Sequence, residues 1–167
     1  PPPAEPAAKR PRLEEAAPDA LEILETQSPA KDLRWALKTL GTRGALEDRS
    51  SVLSLAAALR ERFIPALSAT TTFSEMAVCF MSAKGVAHRK AIVYVVHELL
   101  TRNKGEALND EDRRSSCFRL FLLQIGVKIR GYKADERVAY LRIVSDWSKR
   151  KALPPAEMKE LKESWDA

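Results

Sequence analysis

The sequence is short of the residues that build most catalytic and extracellular frameworks: 167 residues hold two cysteines, two histidines and six glycines. Cys79 and Cys117 sit among Phe, Met and Leu and read as reduced core residues of an intracellular protein. A disulfide between them is the weaker reading, and their spacing offers no metal site. The glycines form no phosphate-cradling loop, and no serine sits in a nucleophile elbow. His88 and His97 do not share a helical face. These absences argue against an enzyme, a cofactor and a metal centre. Long apolar runs are missing too. The longest, Ala91 to Val96, falls far short of the roughly 20 residues a membrane helix needs. The first residues, rich in Pro, Ala and charge, lack the apolar centre of a secretory signal. The expectation is a soluble protein with no membrane partner.

What is present suffices for one core. Hydrophobic residues make up 45% of the chain, enough for a single domain of ordinary size. Lys and Arg outnumber Asp and Glu by 28 to 23, a net charge of +5 that favours an acidic partner: nucleic acid, phosphopeptide or an anionic membrane surface. The excess is uneven, because residues 1–28 carry three cations against six acids, which leaves the remainder at +8. Counted together with Pro29, that segment holds seven of the ten prolines and no Gly, Phe, Trp or Tyr. It buries too little apolar surface to offset its ordering entropy, so a flexible tail over 1–28 and a domain over 29–167 are expected. Within the tail, Pro-Ala-Ala-Lys-Arg-Pro-Arg-Leu (Pro6 to Leu13) sets Lys9, Arg10 and Arg12 on a proline-extended backbone. It resembles a nuclear import signal of the kind importin reads, which implies a nuclear protein; the plainer reading is three charges that keep a tail soluble.

From Ser28 onward the apolar residues recur at three- and four-residue intervals, with no strand-like alternation. The pattern predicts a first helix bearing Leu33, Ala36, Leu37 and Leu40, stopped by Gly41. A second begins near Asp48, carries Val52, Leu55, Ala56, Leu59 and Phe63, and ends before Pro65. A third follows with Phe73, Met76, Ala77, Phe80 and Met81, capped by the threonines at 70–72. The fourth, Ala91 to Leu100, is apolar nearly all round and should be the most buried. Asn109, with Asp112 three residues on, caps a fifth that runs through Cys117, Phe118, Phe121, Leu122 and Ile125 to Gly131. Asp135 opens another with Val138, Leu141 and Val144 on one side and Tyr140, Ile143 and Trp147 beside them. Pro155 starts a last helix bearing Met158, Leu161 and Trp165. Seven or eight helices with short connections make an all-α array of stacked hairpins.

Two segments say more. Lys90 to Asn103, Lys-Ala-Ile-Val-Tyr-Val-Val-His-Glu-Leu-Leu-Thr-Arg-Asn, resembles the central helix of the CTD-interacting domain family. Arg142 to Trp147, Arg-Ile-Val-Ser-Asp-Trp, followed by a basic turn and a short helix, resembles the end of the same module in order and in spacing. The resemblance spans about residues 29–165. It implies a right-handed superhelix of about eight helices, related to the VHS and ENTH folds, whose groove takes the C-terminal tail of the RNA polymerase II largest subunit. Members of the family act in transcription termination, 3′-end processing and splicing.

The resemblance also assigns residues. A reader of phosphoserine needs a guanidinium held on a rigid helix, because its planar fork grips two phosphate oxygens, and Arg142 matches the family's phosphate-contacting arginine. The competing reading pairs Arg142 with Asp146 four residues on and gives it no further role. His97 and Glu98 stand where the family has a small polar pair that holds the peptide turn and its tyrosine. Glu98 keeps an acceptor, whereas His97 is a departure: it is bulkier and charges below about pH 6.5. Tyr94 matches a family aromatic that is chiefly core. Arg49 and Arg102 would flank the groove and could meet a second phosphate, while Trp147 and Trp165 are expected to pack. Alternatives remain on the residues alone: a scaffold that no longer reads phosphate and holds another RNA-processing factor, RNA as an accessory partner, or a membrane-trafficking module.

Overall fold

The computed structural model of the chain describes residues 28–40, 49–102 and 107–166. The Lys9, Arg10 and Arg12 cluster, the expected tail as far as Gln27, the Gly41 stop and the Asp48 start lie outside the described residues. The rest is all-helical, with no strand among the described residues. Pro29 opens α1 (Pro29–Leu40), and Ser28 caps it by accepting a 3.4 Å bond from the Lys31 N–H. Leu33, Leu37 and Leu40 of this helix are buried.

Helix α2 (Arg49–Ala58) does not stop before Pro65. It widens through a π turn at Leu59–Phe63, in which the Ile64 N–H reaches the Leu59 carbonyl, and flows into α3 (Ile64–Ser82). The widening lets the chain pass Pro65, whose ring would otherwise crowd the carbonyl one turn back. The break comes three residues later at Ser68 (φ 76°, ψ 159°). There the Ser68 hydroxyl accepts from the Thr71 N–H at 3.3 Å, so Ser68 is the cap expected of the threonines at 70–72. Buried Thr72 instead ties the bend together, donating to the Ser68 carbonyl at 2.7 Å. By length and composition the stretch Arg49–Ser82 is apolar enough to cross a membrane. It bends at Ser68, and its Leu59, Phe63, Phe73, Met76 and Phe80 lie in the core, while Val78 and Met81 are exposed.

Helix α4 (Val86–Thr101) is the most deeply embedded, with Ala91, Ile92, Val93, Val95, Val96 and Leu99 wholly inaccessible. The single helix expected from Asn109 is two. Asn109 caps only the turn Asp110–Arg113, accepting from Asp112 N–H at 2.8 Å, and Ser115 then caps α5 (Ser116–Ile129) by accepting from Phe118 N–H. Helix α6 (Ala134–Arg150) buries Glu136, Tyr140, Ile143, Val144 and Trp147, while Val138 is exposed on the far side; Met81 is likewise more exposed than its stripe implied. Helix α7 (Pro155–Asp166) buries Met158, Leu161 and Trp165 as its spacing predicts. Seven helices longer than one turn therefore occupy the described residues.

Helix α3 packs against α1 and α5, α4 against α2 and α6, and α7 closes over α5 and α6. Phe73, Phe118 and Phe121 cluster in the first layer, with ring centroids 4.8–6.3 Å apart. Tyr140, Trp165 and Trp147 stack edge-on in the second. The α5–α7 contact depends on Gly126: a Cβ there would lie 2.5 Å from both Ser164 Oγ and Trp165 Cδ1. Trp165 cannot swing clear, because its Nε1–H donates to the Leu122 carbonyl at 2.9 Å. Gly126→Ala gains up to about 1 kcal/mol of helix propensity and loses about 1–3 kcal/mol to overpacking and a displaced indole. We expect a net destabilisation on the order of 1–2 kcal/mol, read as a lower urea midpoint at unchanged slope; an unchanged or raised midpoint would show that α7 is free to shift.

Candidate functional site

Helices α4 and α6, which carry most of the candidate residues, are held together at two tie points. At the first, Arg89 donates to both carboxylate oxygens of Glu136, at 2.8 and 2.6 Å, and to the Ala83 carbonyl at 3.1 Å. Its guanidinium lies 4.2 Å from the centroid of the Tyr132 ring, and the Tyr140 hydroxyl donates to Glu136. Burial alone would raise the Glu136 carboxyl, yet the bonds from Arg89 and Tyr140 outweigh it and hold the group below the usual carboxylate range. At the second, Trp147 Nε1–H donates to His97 Nδ1 at 2.9 Å. Both contacts advance along both helices in the same sense, so α4 and α6 run parallel and in fixed register.

That register sets where each sequence-predicted residue lies. Positions 142, 146 and 150 recur every four residues and form one stripe on the flank of α6. The stripe borders His97, because Asp146 and Arg150 both act on its charge, as do Glu98 from α4 and Arg49 from the first residue of α2. Arg142 is exposed one turn before Asp146. Tyr94, one turn before His97 on α4, is half-buried against the core. Arg49, Glu98, Asp146 and Arg150 thus lie within electrostatic reach of His97, while Tyr94 and Arg142 each precede their own helix's contribution by about one turn.

The arginines on these helices differ in their commitments. Asp146 is engaged by Arg150 at 2.8 Å, so the pairing of Arg142 with Asp146 does not form. Glu98 is engaged by Arg102 at 2.6 Å, which places Arg102 in an ion pair rather than free at the rim. Arg142 has no hydrogen bond or ion pair among the described residues. Both members of the polar pair are therefore partly used: Glu98 by Arg102, and His97 by Trp147. Sequence reasoning missed Arg150, although its four-residue spacing from Asp146 was there to be read. It also missed the His97–Trp147 bond, which joins residues fifty positions apart and leaves no local signal.

The two cysteines are free and half-buried, and burial pushes the Cys79 thiol up to about 11, which suits neither nucleophile nor ligand. No group of three His, Cys, Asp or Glu that could hold a metal occurs among the described residues. Comparison with known protein families, curated proteins and solved structures finds no match to the chain.

The His97–Trp147 bond makes a pH prediction. To accept from an indole N–H, Nδ1 must be unprotonated, and burial lowers the His97 pKa below its usual value. In the unfolded chain His97 titrates near its ordinary value of about 6.5. Just below that pH the unfolded state binds more protons, so the stability linked to His97 is complete above about pH 6.5 and declines as pH falls from there. Urea unfolding at pH 7.5 and 5.5 should show a larger acid-side loss for the native chain than for His97→Gln, which keeps an acceptor but cannot titrate. Equal losses would remove His97 as the responsible group.

Proposed function

We propose that the chain is a non-enzymatic nuclear binding module of the CTD-interacting type: a right-handed superhelix whose α4–α6 groove holds the phosphorylated tail of RNA polymerase II and couples transcription to RNA processing or termination. One observation carries this reading. Arg142 is an exposed guanidinium without a carboxylate partner among the described residues, on the rigid flank of a helix bolted to its neighbour, while Arg102 and Arg150 nearby are neutralised. A planar fork held in that way suits two oxygens of a phosphoserine.

The prior commitments of His97 and Glu98 shape the mechanism. His97 retains only its Nε2–H for a ligand, and Glu98 shares its carboxylate with Arg102. Recognition of the peptide turn is accordingly weak in this chain, and the phosphate supplies most of the discrimination. Arg49 is exposed at the start of α2 on the same groove and lends long-range positive potential.

Fluorescence anisotropy with tail-repeat peptides, unmodified and phosphorylated at each serine, tests the reading. Phosphorylation should tighten binding, and Arg142→Ala should erase most of that gain, about tenfold or more for a charge-assisted bidentate contact. Arg142→Lys, which keeps the charge and loses the fork, should fall between. A native module blind to phosphorylation, or an alanine variant that keeps the gain, sinks the assignment; binding that is equally tight without phosphate points to the scaffold reading.

A further inference from the structure

We propose that a second site, a basic trough at the other end of α6, binds the phosphate backbone of a nucleic acid. The trough is an open concavity of about 710 Å³ between the Asp110–Arg113 turn, the end of α6 and the start of α7. Five cations line it, Arg113, Arg114, Lys151, Lys159 and Lys162, against one acid, Asp110. None of the five pairs with a carboxylate among the described residues. Their neighbours behave differently: Arg119, one helix face away, is closed off by two 2.9 Å bonds to Glu160. The trough is therefore a concentrated, uncompensated positive surface, in a domain whose net charge without its first 28 residues is +8.

Lys151 supplies an independent observation. Helix α6 ends in a complete Schellman motif, with Lys151 N–H on the Ser148 carbonyl at 3.2 Å and Ala152 N–H on the Trp147 carbonyl at 2.9 Å. The residue at its left-handed position has φ 54° and ψ 43°, a conformation that favours glycine, yet it is a lysine. A β-carbon is tolerated there at a cost to the fold, and what the position gains is an ammonium group at the trough's edge.

The lining favours a polynucleotide backbone over a phosphopeptide. The cations are spread over three elements instead of converging on one point, and no aromatic side chain lines the trough for base stacking. Binding of this kind follows charge and is indifferent to base and sugar. The site does not involve Arg142 and stands whether or not the groove reads phosphopeptides.

The experiment is anisotropy of labelled oligouridine and oligothymidine with the full chain across a salt series. Both should bind, with a log–log salt slope of about −3, as expected for four or five neutralised phosphates on a single strand. Lys159→Glu with Lys162→Glu, both exposed, should weaken binding at least tenfold and flatten the slope, and Arg142→Ala should leave it unchanged. Lys151→Gly separates ligand from fold: it should raise the melting temperature while lowering oligonucleotide affinity. The proposal is overturned if the native chain does not bind at low salt, if the double variant binds as the native chain does, or if that variant weakens only phosphopeptide binding and so marks the trough as a protein site.

Discussion

The buried Arg89–Glu136 pair is the interaction on which the rest of the site depends. It joins the first turns of α4 and α6, and each nitrogen of the guanidinium makes a bond: two to the carboxylate, one to the Ala83 carbonyl, with the Tyr132 ring against the guanidinium and the Tyr140 hydroxyl donating to the carboxylate. This bonding matters because a buried charge stripped of its partner costs about 3–5 kcal/mol, far more than an exposed ion pair is worth. An apolar pair would stabilise the contact as well, but it would tolerate a slip of one helix along the other. A bidentate fork does not, since a shift of one residue would strand both charges. Register between α4 and α6 is the property the proposed site needs, because its residues come from those two helices.

The second tie point makes His97 part of the scaffold before it is part of any surface. Its ring lies nearly parallel to that of Trp147, with centroids 6.4 Å apart, and its Nδ1 satisfies an indole that is fully buried. A small polar residue at 97 would leave that indole N–H in want of a partner, at a cost of about 1–3 kcal/mol. The bulk of a histidine at this position is thus compensated inside the fold. The same bond occupies Nδ1, and with Glu98 held by Arg102 both side chains of the His97–Glu98 pair are committed within the fold before any ligand meets them.

Local physics made most of the helices legible in the sequence. The α4 stripe is apolar nearly all round and is the buried centre; Met158, Leu161 and Trp165 keep their spacing and their burial. The misread points are places where tertiary or cap chemistry overrides periodicity. Pro65 looks like a terminator, but a preceding π turn absorbs it, and the true break falls on Ser68. The Asn109 cap is real, yet Ser115 offers a second cap six residues later and splits the helix. At the site, the local partners were readable and the distant ones were not. Asp146 has Arg142 and Arg150 at equal separation on either side, and sequence gives no reason to choose. Arg89 and Glu136 are separated by 47 positions, and an ion pair of that span leaves no periodic trace.

Trp147 links the two surfaces of α6. Its indole fixes His97 in the groove, and its carbonyl receives the Ala152 N–H that folds the chain over at the trough's edge. One residue buried to 0% exposure therefore positions both, and neither surface can move without disturbing the core. Coupling by charge is small: nine helical residues from Arg142 to Lys151 span about 13 Å, beyond the screening length of about 8 Å at physiological salt. Two anionic ligands would bind such a body almost independently. A protein tail and a nucleic-acid strand delivered by the same assembly would then reinforce one another through tethering alone, since the second contact forms at the effective concentration set by the first.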